Sequence, residues 1–122
     1  MVKKTILLID DHKEFREMLR LFIEKQFKEV EIKESATGEE GVEVAVKERP
    51  QVALIDICLP QMDGLQAARQ IKQQVPGCHI ITMSMLIDRN YQKFVAREMA
   101  AFIEKDEINE GLIPLLNRFL NK

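Results

Sequence analysis

The chain has 122 residues, 46% hydrophobic and 31% charged, with 5 glycines, 4 prolines and a formal net charge of −2. That length fits one domain around one core, and 18 basic against 20 acidic residues with so few Gly and Pro exclude a disordered chain. The slight acidity excludes a phosphate-neutralising nucleic-acid surface, no apolar run approaches the ~18 residues of a membrane span, and Cys58 and Cys78 make neither a disulfide framework nor a metal quartet.

Met1 to Lys4 leads straight into a strand-like segment without a signal-peptide pattern, so the expected location is cytoplasmic. Thr5 to Ile9 is a continuous apolar run, as in a strand buried on both faces. Phe15, Met18, Leu19, Phe22 and Ile23 follow at helical spacing. Val30 to Ser35 alternates apolar with charged residues, as a half-exposed edge strand does. Thr37-Gly38 opens a helix carrying Val42, Ala45 and Val46, and Pro50 closes it.

Val52 to Ile55 reads as a buried strand, and Leu65, Ala68, Ile71 and Val75 mark a helix stopped by Pro76-Gly77. His79 to Met83 is a fourth strand, and Asp88 caps a helix bearing Tyr91, Phe94, Val95 and Met99. Ala101 to Ile103 is a short fifth strand, and Leu112 to Leu120 supplies a last amphipathic helix. Pro114 conflicts with a helix interior, so that helix is expected to start near Asn109 or Glu110 with a weakened first turn. Five β–α units in a row predict an α/β fold with a parallel sheet and helices on both faces.

Ligands of open α/β sheets sit beyond the carboxyl ends of the strands. The first strand ends in Asp10-Asp11, the third in Asp56 and the fourth in Ser84, while Lys105 comes just beyond the fifth. Three carboxylates at one edge repel, each pair by on the order of 4 kcal/mol at ~4 Å and an effective dielectric near 20. A cation offsets that cost, and oxygen donors with room for water suit Mg²⁺. A nearby ammonium and hydroxyl are the groups with which phosphoryl transfer holds equatorial oxygens.

These residues carry a resemblance. Asp10-Asp11, the segment Asp56-Ile57-Cys58-Leu59-Pro60-Gln61-Met62-Asp63-Gly64, Ser84 and Lys105 resemble the receiver domains of bacterial two-component response regulators, and the match covers essentially the whole chain. Asp10-Asp11-His12 and Lys105-Asp106 are most similar to the branch that usually carries a C-terminal helix-turn-helix. The resemblance implies a flavodoxin-like (βα)5 three-layer sandwich with a parallel five-stranded sheet in the order 2-1-3-4-5. Residues 1–122 are then a single receiver domain with no output domain in this chain. Either a stand-alone receiver or the N-terminal part of a DNA-binding transcription regulator fits.

Carried over by position, the resemblance makes Asp56 the phosphoacceptor. Asp11 and Asp56 would give carboxylate oxygens to Mg²⁺, Asp10 would ligate directly or through water, and Cys58 would add its backbone carbonyl. Ser84 would hydrogen-bond the phosphoryl group, with Thr82 on the same strand face as its rival, and Lys105 would pair with it. Phe102 falls where the family has an aromatic switch residue. The implied activity is that of a phosphoacceptor that assists its own phosphorylation and dephosphorylation, not of a conventional enzyme. Implied partners are a sensor histidine kinase or phosphotransfer protein upstream and a target protein downstream. A homodimer is allowed, and neither nucleic acid nor membrane is contacted through this domain. His12 is expected to be an exposed residue of the first helical turn.

Three departures stand out. Glu98-Met99-Ala100-Ala101 replaces the usual Gly-Ala-x-Gly, Met85 follows Ser84 where a small residue is usual, and Asp106 follows Lys105 where many receivers have Pro. The first keeps open an alternative, a pseudo-receiver interaction module that works without phosphate. An aspartyl-phosphate hydrolase is the third reading, and Cys58 stands where such an enzyme would need a second Asp as general acid.

Overall fold

The computed structural model describes residues 4–57, 64–85 and 99–120. Five strands, β1 (Lys4–Ile9), β2 (Val30–Ser35), β3 (Val52–Asp56), β4 (His79–Ser84) and β5 (Ala101–Glu104), form one sheet. The spatial order is β2-β1-β3-β4-β5, with every pairing parallel. This is the flavodoxin-like arrangement. The helices are α1 (Lys13–Gln26), α2 (Gly38–Glu48), α3 (Gly64–Gln74) and α4 (Ile108–Leu120), the last entered through a 3₁₀ turn over Lys105–Glu107. The helix expected after Asp88 lies outside the described residues, as do Cys58 and the loop through Asp63.

Alternation along each strand divides the core in two. Leu7, Ile9, Ala53, Ile55 and Ile80 pack with Val42 and Ala45 of α2 and Leu65, Ala68 and Ile71 of α3. Ile6, Leu8, Val52, Leu54, Ile81 and Met83 pack on the other face with Leu19 and Ile23 of α1 and Leu112 and Leu116 of α4. Both faces of β1 and β3 are covered, which is why those strands read as unbroken apolar runs. β2 lies at the edge, as its sequence predicts, with Val30 and Ile32 half-buried against the α1–α4 layer. Cys78 belongs to the first core layer, and burial pushes its thiol up to about 12, as suits an inert packing group.

Local signals set the helix ends. The Thr37 side chain accepts from the Glu40 backbone N–H at 3.1 Å, capping α2, and Arg49 ends it in the left-handed region at φ 47° before Pro50. α4 begins at Ile108, within a residue of the expected start near Asn109, with Pro114 inside it. The proline leaves the Glu110 carbonyl without its helical donor, but both residues are exposed, so water can replace that bond. Because the 3₁₀ turn supplies the weakened entry, the proline need not.

Of the departure at 98–101, Glu98 lies outside the described residues, and the rest is absorbed without a left-handed backbone. Arg49 is the only described non-glycine residue with positive φ, so Met99, Ala100 and Ala101 need no glycine-like backbone. Met99 is buried against the α3 side of the core, and the Ala100 N–H donates to the Ile80 carbonyl, bringing the chain into β5.

Two glycines make opposite demands. A Cβ on Gly64, whose N–H donates to the Ile57 carbonyl, would overlap the Asp56 carbonyl oxygen and Ile57 Cα, which are backbone and cannot turn aside. On Gly41 it would meet only the Ile9 side chain. Gly64→Ala is therefore expected to lower unfolding free energy by about 2 kcal/mol or more. Gly41→Ala should lose less, because Ile9 can change rotamer and alanine favours the helix. Urea unfolding of both variants checks the order, and equal losses would contradict it.

Candidate functional site

The register sets the site. Ile9 pairs with Ile55, so Asp10 and Asp56 follow side by side at the ends of β1 and β3. The Asp10 N–H continues the ladder to the Ser35 carbonyl, and Ile57 N–H bonds the Met83 carbonyl. Asp10 is fully buried and Asp56 is 3% exposed. Carboxylates at that depth need positive charge close by.

Lys105 supplies it. Its Nζ lies 2.8 Å from Asp10 Oδ2 and donates a hydrogen bond to Asp56 Oδ2 at 3.1 Å. The ammonium also sits 4.3 Å from the centroid of the Phe15 ring of α1. Burial by itself would lower the amine's pKa, but Asp10, then Asp56, outweigh it and hold the pKa above the ordinary lysine value. The lysine stays charged where its charge is needed.

Asp10, Asp11, His12 and Asp56 each bring one ligand atom within 4.8 Å of all the others. Opposite oxygens around octahedral Mg²⁺ stand about 4.2 Å apart, twice a bond of about 2.1 Å, so a cluster of this width fits a divalent cation. Asp10 Oδ2 has no well-directed hydrogen bond despite being buried, and three carboxylates face one ammonium. The donor set and its charge therefore fit a hard divalent cation.

The other predicted residues fall as follows. Thr82 is fully buried, and its Oγ1 donates to the Ala101 carbonyl at 3.4 Å, inside the sheet. Ser84 is 2% exposed at the site edge of β4, paired in register with Glu104, next to Lys105. Phe102 is half-buried in β5 and packs against the α2–α3 layer of the core. The Cys58 carbonyl lies outside the described residues.

His12, expected to be exposed, has a side chain 67% accessible, yet its Nδ1 lies 3.2 Å from Asp10 Oδ1 and 3.3 Å from Asp11 Oδ1. It occupies the N-cap of α1 without capping it through its side chain. Arg16 was not anticipated at all. It bonds the Asp10 carbonyl through Nη1 and Glu34 Oε1 through Nε at 2.9 Å, while Arg20 Nε sits 3.2 Å from Glu34 Oε2. One turn into α1, Arg16 thus ties the acidic turn to β2. Glu34 is 18 residues away, so spacing alone gives no sign of the pair. An open cleft of about 580 Å³ reaches the site, lined by residues 11–15, Met85 and Lys105.

Comparison with known proteins finds both sequence relatives and structural neighbours. The family model described as the response regulator receiver domain matches residues 6–117. The transcriptional regulatory protein LiaR of Bacillus subtilis is 40% identical over 83 residues, covering 68% of this chain and 39% of LiaR. The transcriptional regulatory protein DegU of Brevibacillus brevis is 32% identical over 114 residues, covering 91% and 48%. The chain thus spans less than half the length of these relatives. The crystal structure of a LuxR-family two-component response regulator from Aurantimonas superposes with a TM-score of 0.88 at 22% identity, covering 98% of this chain and 86% of that one.

The charge count gives two opposed expectations for the metal-free protein. Asp11→Asn removes one of three mutually repelling carboxylates from a side chain 33% exposed, and should raise stability by on the order of 1 kcal/mol. Lys105→Met strands two buried carboxylates and should lower it by about 3 kcal/mol or more. Urea unfolding in EDTA measures both. Destabilisation by Asp11→Asn would mean that the cluster is not dominated by repulsion.

Proposed function

The chain belongs to the response regulator receiver domain family, and from that premise we propose that it is a phosphorylatable switch with Asp56 as the acceptor. The single observation that carries this reading is Lys105 bonded to Asp56 Oδ2 at 3.1 Å inside an acidic cluster that fits a divalent cation. Receiver domains are regulatory components of two-component systems rather than conventional enzymes.

In the proposed reaction a carboxylate oxygen of Asp56 attacks the phosphorus of a kinase phosphohistidine or a small phosphodonor. The new O–P bond forms as the P–N or P–O bond to the donor breaks, and the donor leaves with the electron pair. Bound Mg²⁺, held by Asp11, Asp56 and Asp10, with the Cys58 carbonyl as a further donor, would neutralise charge on the transferring oxygens. Lys105, already against Asp56, pairs with one of those oxygens, and Ser84 donates its hydroxyl to another. That contact draws the end of β4 toward the site and shifts the surface around β5 and α4, with Phe102 changing rotamer. The shift can be no larger than the phosphate's preference for the active arrangement.

The phosphoryl donor would be a histidine kinase or phosphotransfer protein, and a target protein would read the switched surface. The likeness to transcriptional regulatory proteins over less than half their length supports a receiver that controls a DNA-binding output, which also suits a cytoplasmic setting. Within the described residues no helix is long and apolar enough to cross a membrane. What weighs against a module working without phosphate is the full acidic set with its lysine, and the ease with which residues 99–101 enter β5.

Intact mass after incubation with Mg²⁺ and acetyl phosphate tests the proposal. One phosphoryl group is expected on the parent, and none in EDTA or on Asp56→Ala. No adduct from acetyl phosphate or from a phosphorylated histidine phosphotransfer protein would overturn it. Met85 bears on the lifetime of that adduct. It is 69% exposed and lines the cleft beside Asp11 and Lys105, where it can obstruct water approaching Asp56. Met85→Ala should shorten the phosphoryl half-life severalfold, followed by the same mass measurement. An unchanged half-life would remove the steric role.

A further inference from the structure

His12 is the one member of the cation cluster that is not a carboxylate. Its Nδ1 stands 3.2 Å from Asp10 Oδ1 and 3.3 Å from Asp11 Oδ1. Neighbouring ligands on an octahedral ion with bonds of about 2.1 Å stand about 3.0 Å apart, so the imidazole nitrogen already keeps nearly the spacing of a coordinated edge. The backbone places it there, because the His12 N–H donates to Asp10 Oδ1 at 2.8 Å and the ring is not used to cap α1. Arg16, bound to the Asp10 carbonyl, anchors the same turn.

We infer that His12 Nδ1 is an additional protein ligand of this cation site, giving it a nitrogen donor that selectively strengthens binding of borderline transition-metal ions. The inference rests on the proposed cation-dependent receiver chemistry and adds to it a metal preference built into this chain. Imidazole suits Co²⁺, Ni²⁺ and Zn²⁺, whereas Mg²⁺ gains little by exchanging a water for nitrogen. Nearly all oxygen sites hold transition metals more tightly than Mg²⁺, so the parent's preference alone would not implicate His12. The diagnostic quantity is how much of that preference a His12 variant loses.

Calorimetric titration with Co²⁺ and with Mg²⁺ at mildly alkaline pH, on the parent and on His12→Gln, reads it directly. Loss of a ligand should weaken Co²⁺ about tenfold or more, while Mg²⁺ affinity changes less than about twofold. Equal weakening of both metals would overturn the inference, since the ring would then act only by charge or by holding the turn. No change for either would also overturn it. A parent that binds neither metal would overturn the cation-dependent reading as well, which separates the two failures.

A second measurement needs no variant. The other histidine, His79, opens β4 at the far end of the sheet and stacks on Phe119 at 4.9 Å. In the Co²⁺-loaded parent, proton spectra should contain a hyperfine-shifted imidazole C–H resonance that disappears when ring-deuterated histidine is incorporated. With Co²⁺ bound, absence of that resonance would overturn the assignment.

Discussion

Two carboxylates buried at the ends of neighbouring strands have to be offset by positive charge, and Lys105 does this at 2.8 Å from Asp10 and 3.1 Å from Asp56. Much of the site edge follows from that requirement. β5 must run parallel to β4 so that the residue after Glu104 arrives over the two acids. The 3₁₀ turn at Lys105–Glu107 lets the chain leave in a new direction before α4 begins. Phe15 closes the remaining side of the ammonium with a ring face instead of a third anion. Breaking such an arrangement costs more than making it gains, because a stranded buried charge has no water to turn to.

The charge balance at that edge remains negative, and this gives the fold its chemical use. A third carboxylate, Asp11, and the exposed imidazole of His12 complete a cluster that a divalent cation can satisfy and the protein's own cation cannot. On the proposed reading, stability is sacrificed locally so that a cation, and then a phosphoryl group, would find a preorganised place. The supports are stiff. Gly64 lets α3 start against the backbone of Asp56 and Ile57, and Arg16 fastens the Asp10 turn to Glu34 of β2.

The departures from the family pattern act at different levels. Residues 99–101 give up glycine without adopting a left-handed backbone, so their effect on the fold is small. Met85 stays exposed at the mouth of the cleft, where it concerns access more than folding. Pro114, a local conflict and not a family departure, sits in an exposed turn of α4 that water can repair, and so the helix tolerates it.

Among the described residues, the strand and helix spans, the edge position of β2 and the grouping of Asp10, Asp11, Asp56, Ser84 and Lys105 at one sheet edge were legible in the sequence. Apolar runs and helical periodicity are short-range signals, and strands in a parallel sheet all end on the same side. The strand order was legible only through likeness to a family, since five β–α units by themselves permit several orders. The start of α4 was legible to within a residue, whereas the 3₁₀ turn before it was not. Only the tertiary structure decided that His12 turns its Nδ1 to the acids, that Arg16 pairs with Glu34 across 18 residues, and that Thr82 spends its hydroxyl on Ala101. Each is a contact between side chains and groups brought together by the sheet register, and such contacts leave no period in the sequence.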